Sequence, residues 1–82
     1  MTLEQTALVV REAIRQAASE WEVRPSQALS PDLNSPSAIA ARNIAICLAF
    51  DQGVEPRHLA EAFRRDRRVI RMALTRTQTE TP

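Results

Sequence analysis

The sequence holds no lysine and no tyrosine, and only one glycine, one cysteine and one histidine in 82 residues. A single cysteine excludes an intramolecular disulfide and any cysteine-based zinc cage. His58 has no second candidate ligand one turn away, so it reads as a surface or partly buried helix residue rather than a metal ligand. Cys47 lies in a nearly all-apolar stretch and reads as a small buried hydrophobe rather than a reactive thiol. One glycine beside five prolines argues against a turn-rich all-β fold. The longest uninterrupted apolar run, Ile44 to Phe50, falls far short of the ~20 residues that span a bilayer. The opening Met1-Thr2-Leu3-Glu4-Gln5 has neither a basic segment nor an apolar one, so no signal peptide is expected and a bacterial-type cytoplasm is the expected setting. There is no glycine-rich phosphate loop, no dinucleotide fingerprint and no HExxH. An enzyme is therefore not expected, nor a cofactor, a metal or a membrane partner.

What is present is a balanced chain, 44% hydrophobic and 26% charged, as in a folded domain rather than a disordered tail. A single domain is expected over residues 1–76, followed by a frayed tail, 77–82. Thr2 with Gln5 three residues on makes a capping-box pattern. Behind it Leu3, Ala7, Val10, Ile14, Ala17 and Trp21 recur every three or four residues, with Leu8 and Ala18 widening the stripe. This spacing predicts an amphipathic helix over 3–21, which covers a core or forms a short dimerising coiled coil. Trp21, at the end of that seam, fits either core packing or an exposed partner contact. Val23 to Leu29 predicts one short helical turn opened by Pro25. Residues 30–36 carry turn chemistry throughout. Ser35 before Pro36, or Ser37 alone, can cap a helix over about 36–51. That helix is apolar nearly all round, with Ile39, Ala40, Ile44, Ala45, Cys47, Leu48 and Phe50, which predicts a place in the middle of a bundle. Gly53 is the natural left-handed stop. A helix over about 55–63 turns Leu59, Ala62 and Phe63 inward. Asp66 is a candidate N-cap for a last helix, about 67–76, with Val69, Ile70, Ala73 and Leu74 inward. The fold class predicted is all-α, a small helical bundle.

The net charge of +1 hides an uneven distribution. Residues 1–34 carry a net −2, whereas residues 64–76 carry six arginines against Asp66 alone, a net +5. Arg68, Arg71, Met72 and Thr75 are spaced i, i+3, i+4, i+7 and form one outward stripe. Two short helices joined by a tight turn, the second armed with arginines, are the pattern of a helix-turn-helix. The major groove, about 12 Å wide, admits one α-helix and displays a base-specific set of donors and acceptors. Asp66 can accept from a cytosine amino group, and Arg67 and Arg68 can donate to guanine O6 and N7. Arg64, Arg65, Arg71 and Arg76 are placed to meet phosphates.

From about Leu8 to Arg76 the chain resembles the C-terminal DNA-binding domain of the bacterial replication initiator DnaA, an all-helical fold similar to Trp repressor. Val23 through Leu29-Ser30 looks like that family's short second helix, which ends in an Asp-Leu-Leu-Ser type sequence. Ala41-Arg42-Asn43-Ile44-Ala45-Ile46-Cys47-Leu48-Ala49 resembles its Pro-Arg-Gln-Ile-Ala-x-x-Leu-Ala helix. Ala62-Phe63-Arg64-Arg65-Asp66-Arg67 is similar to Ala-Phe-Gly-Gly-Arg-Asp-His, and closer to the Ala-Phe-Gly-Arg-Asp-Arg form of small stand-alone relatives in alphaproteobacteria. The resemblance implies that Arg65, Asp66, Arg67 and Arg68 open a recognition helix, and that Arg42 and Asn43 take the place of an Arg-Gln phosphate-binding pair. Two departures matter. Val69 stands where the family has a phosphate-binding Thr. The loop 30–36 has no positive charge where the family has a basic loop that enters the minor groove, so recognition of the standard initiator box does not follow. ATP binding and origin melting belong to other domains of that family and are not implied.

The expectation is a DNA-binding protein acting in control of replication initiation or transcription, associated with the nucleoid, with double-stranded DNA as partner. The alternative is a protein-interaction module of the same fold that binds a replication or regulatory partner through its acidic N-terminal helix. The candidate DNA-binding residues are Arg42, Asn43, Arg64, Arg65, Asp66, Arg67, Arg68, Arg71 and Thr75. Whether the chain is a monomer or a homodimer is not legible from it.

Overall fold

Several helix boundaries follow from local caps. The structure is a computed structural model that describes residues 2–30 and 35–79, with side chains as far as Thr75. Helix α1 spans Leu3–Glu20. Its capping box is formed: the Gln5 backbone N–H donates to Thr2 Oγ1 at 3.1 Å, and the Thr2 N–H donates to Gln5 Oε1 at 2.8 Å. Helix α2 spans Pro25–Leu29, with Pro25 in its first turn as the sequence suggests. Helix α3 spans Pro36–Asp51 and is capped by Ser35, whose hydroxyl accepts from the Ala38 N–H at 3.2 Å. Helix α4 spans Pro56–Phe63 and helix α5 spans Arg67–Thr79. The last helix runs three residues beyond the expected end, into the segment read as tail. The turn expected over 31–34 lies outside the described residues.

Three of these helices stop in the same way. At the ends of α1, α3 and α4 the chain enters the left-handed region at Glu22 (φ 54°), Gly53 (φ 104°) and Arg64 (φ 53°). The next backbone N–H then reaches back across the last turn: Val23 to the Ala18 carbonyl, Val54 to Ala49 and Arg65 to Ala60, at 3.0–3.2 Å. These are Schellman motifs, which satisfy otherwise orphaned carbonyls. The one glycine of the chain occupies only one of them. The other two hold residues with a Cβ, at a cost of about 1–2 kcal/mol each in that conformation.

The five helices pack as an all-α bundle, most extensively through α1 on α3, with α5 resting on α3 and α4. The radius of gyration, 11.5 Å, matches the ~11.7 Å of a folded chain of this length. Nine of the seventeen buried apolar residues among those described are alanine. Ala13 and Ala17 of α1, with Ala38, Ala41, Ala45 and Ala49 of α3, are almost wholly buried. Small side chains at a helix contact let the two axes approach toward the short end of the 8–10 Å range. Volume comes from Phe63, Ile46, Leu59, Ile70 and Val54, all essentially solvent-free.

Several expected core positions are not core. In α1 only the second half of the seam is covered: Val10, Ile14 and Ala17 are buried, while Leu3, Ala7, Leu8 and Trp21 are exposed. At its N-terminal end the helix faces α2 and α4 across an open groove instead of packing onto them. In α3 the deep positions are the alanines and Ile46, so Ile39 is exposed and Ile44, Cys47, Leu48 and Phe50 are half-buried. Ala62 of α4 and Val69 of α5, both assigned inward, are exposed. Each lies at the edge of its helix's apolar arc, about 100° from the buried Phe63 or Ile70 beside it.

Candidate nucleic-acid interface

The segment 56–79 consists of two helices joined by Arg64-Arg65-Asp66. The turn is fixed at three levels. Phe63, wholly buried, anchors the end of α4, and the left-handed Arg64 reverses the chain. Asp66 then starts α5: its Oδ1 accepts from the Arg68 N–H at 2.8 Å and its carbonyl accepts from the Ile70 N–H at 3.2 Å. The expected N-cap is therefore formed. The Asp66 carboxylate also sits at the positive end of the α5 dipole. On the far side, Ile70, Ala73 and Leu74 hold α5 against the bundle.

This leaves the opposite face of α5 and the turn in solvent. Arg64, Asp66, Arg67, Arg68, Arg71 and Thr75 are all exposed, and Arg65 is half-buried. Elsewhere two arginines are paired, Arg15 with Glu12, and Arg57 with Glu55, whose Oε2 accepts from Arg57 Nε at 2.8 Å. The Arg15 guanidinium holds the Glu12 carboxyl below its ordinary range, mainly through their hydrogen bond. Arg64, Arg67, Arg68 and Arg71 make no ion pair with any described residue. Five arginines and one aspartate thus share one end of the molecule, and four of the five guanidiniums are open to solvent. Such a surface attracts polyanions.

Arg42 is placed differently. It is 6% exposed, the one buried charged residue among those described. Its Nε donates to the Ala28 carbonyl and its Nη2 to the Ser30 carbonyl, both at 2.9 Å. These carbonyls belong to the end of α2, where a positive charge is favoured by the helix dipole. Burial, and secondarily the nearby charge of Arg65, lower the Arg42 pKa from its ordinary value. The expected phosphate contact at Arg42 does not fit this placement: the guanidinium clamps α2 to α3 and would have to abandon one buried and one part-buried hydrogen bond to reach a phosphate. Asn43, the next residue, is half-buried on α3. The side chain of Arg76 lies outside the described residues.

Sequence reasoning missed two features, the exposure of Val69 and an apolar groove. Val69 is 45% exposed at the edge of the arginine face, beside Met72 of the expected outward stripe, which is 64% exposed. Their three-residue spacing was the available signal, since it puts them side by side on the surface of α5. The second feature is an apolar groove of about 650 Å³ between the first half of α1, α2 and α4, walled by Leu3, Ala7, Val10, Ile14, Pro25 and Leu29.

Among the described residues no cluster of His, Cys, Asp or Glu could hold a metal ion, and no helix is long and apolar enough to cross a membrane. Compared with protein-family models, curated proteins and solved structures, the chain matches none. What can be said of its function rests on its own residues.

Proposed function

We propose that this chain is a small double-stranded-DNA-binding protein, in which α4 and α5 act as a helix-turn-helix and α5 enters the major groove. The observation that carries this reading is the set of exposed guanidiniums on the turn and α5, unmatched by carboxylates among the described residues, on a helix whose other face is buried. An α-helix is 10–12 Å across with its side chains, which fits the groove. Arg64 and Arg71, at the flanks, meet phosphates. Arg67, Arg68 and the cap residue Asp66 approach base edges. The resemblance to the DnaA DNA-binding domain points the same way and suggests a role in control of replication initiation or transcription.

The test is fluorescence anisotropy with mixed-sequence duplexes over a range of salt. Neutralising about four phosphates gives a log–log slope near −3.6, at ~0.9 per phosphate. Arg71→Ala weakens all sequences alike, whereas Arg67→Ala or Arg68→Ala relaxes preference at one position by ~1–3 kcal/mol. A flat salt dependence would overturn the proposal.

A second reading is favoured by the apolar groove beside α1: a protein-interaction module that docks a replication or regulatory partner there. No retention on heparin at about 50 mM salt, where phosphate-driven binding is strong, would favour it over the first.

A further inference from the structure

A helix face meant only for phosphates has no use for exposed apolar side chains, yet α5 shows two. Met72 is exposed beside Arg68, and Val69 is exposed next to it at the border of the buried side, which Ile70, Ala73 and Leu74 complete without them. Residues three apart on a helix are surface neighbours, about 5–6 Å between Cβ atoms, so the two make one small apolar strip. The strip advances about 4.5 Å along the helix, at 1.5 Å per residue, close to the 3.4 Å between successive bases.

We infer that Val69 and Met72 form a thymine-reading site, packing against the C5-methyl groups that thymine alone among the bases projects into the major groove. The inference rests on the helix-turn-helix reading and deepens it. The occupant follows from charge: a strip bordered along one side by exposed Arg68 and Arg71 is complementary to a polyanion, and the apolar group that duplex DNA offers in its major groove is the thymine methyl. Val69 presents a stiff, branched surface and Met72 an adaptable one, so together they cover methyls at neighbouring base pairs. The guanidiniums hold the helix in the groove and the apolar strip sorts sequences within it.

The test uses a duplex selected by the wild-type protein from a random-sequence pool, then resynthesised with deoxyuridine at each thymine. This removes the methyl and keeps pairing, the O4 acceptor and every phosphate. Burying one methyl is worth roughly fourfold in affinity, so loss of two weakens wild-type binding on the order of fifteenfold. V69A/M72A binds the thymine duplex as weakly as wild type binds the uracil duplex, and does not respond to the exchange. Both positions are exposed, so circular dichroism of the variant stays that of the wild type. Arg71→Ala serves as control, lowering affinity for both duplexes alike.

Three results would overturn the inference while leaving DNA binding intact: equal wild-type affinity for the two duplexes, a double variant that still discriminates between them, or a selected site without thymine. Failure to bind any duplex at low salt would remove both the inference and the reading beneath it.

Discussion

Replacing Arg42 by methionine separates a structural arginine from a DNA-binding one. The wild-type guanidinium makes two hydrogen bonds to carbonyls at the end of α2. Charge-assisted bonds contribute about 1.5–3 kcal/mol each, so losing both costs about 3–6 kcal/mol before compensation. Methionine returns part of this, because no charge is then buried beside Arg65 and its flexible thioether fills much of the space. The expected net loss is about 2 kcal/mol, a large fraction of the 5–10 kcal/mol that a domain this small commands. Urea unfolding followed by circular dichroism should show a lower midpoint with an unchanged slope, and the melting temperature should fall by roughly 8–16 °C. The salt slope of DNA binding, measured where the variant is folded, should stay at its wild-type value. An unchanged midpoint together with a slope shallower by about 0.9 would refute the clamp and restore Arg42 as a phosphate contact.

Other substitutions probe the turns. Glu22→Gly and Arg64→Gly both relieve a left-handed residue, and each should raise stability by ~0.5–1 kcal/mol in thermal unfolding. Only Arg64→Gly should also weaken DNA binding. A loss of stability in either would mean that the side chain contributes more than its backbone strain costs. Asp66→Ala removes the cap of α5 and should cost ~1 kcal/mol, while Asp66→Asn stays within a few tenths of wild type. Equal losses would show that the carboxylate's charge rather than its hydrogen bond matters. Ala45→Leu inserts volume where α3 is wholly buried and should destabilise by ~1–3 kcal/mol. A neutral result would mean that the packing around α3 is looser than the burial of its alanines implies.

Local signals in the sequence were reliable where the cause was itself local. Thr2 with Gln5, Ser35 before Pro36, Gly53 and Asp66 each mark a helix end, because capping depends on a few adjacent atoms. Tertiary placement was less legible. Periodicity says which residues share a face but not how far a neighbouring helix covers it, so Leu3, Ala7 and Leu8 share a stripe with Val10 and Ile14 and remain exposed. In α3 an apolar majority concealed the pattern of burial, in which four alanines and Ile46 are buried while Ile39 is exposed and Ile44, Cys47, Leu48 and Phe50 are half-buried. Arg42 could not be separated from the other arginines by sequence, since its fate depends on carbonyls 12 and 14 residues away. For the candidate interface, clustering located the basic face, but the edge position of Val69 became visible only once α5 was seated on α3 and α4.

The most direct measurement of the central claim is NMR titration of isotopically labelled protein with a short duplex, following both backbone amides and arginine Nε–Hε signals. The account predicts shifts confined to residues 64–75, with Arg64, Arg67, Arg68 and Arg71 side chains moving together and Arg42 still. Shifts centred on Leu3, Ala7 and Leu29 around the α1 groove, or no shift at all at low salt, would contradict it.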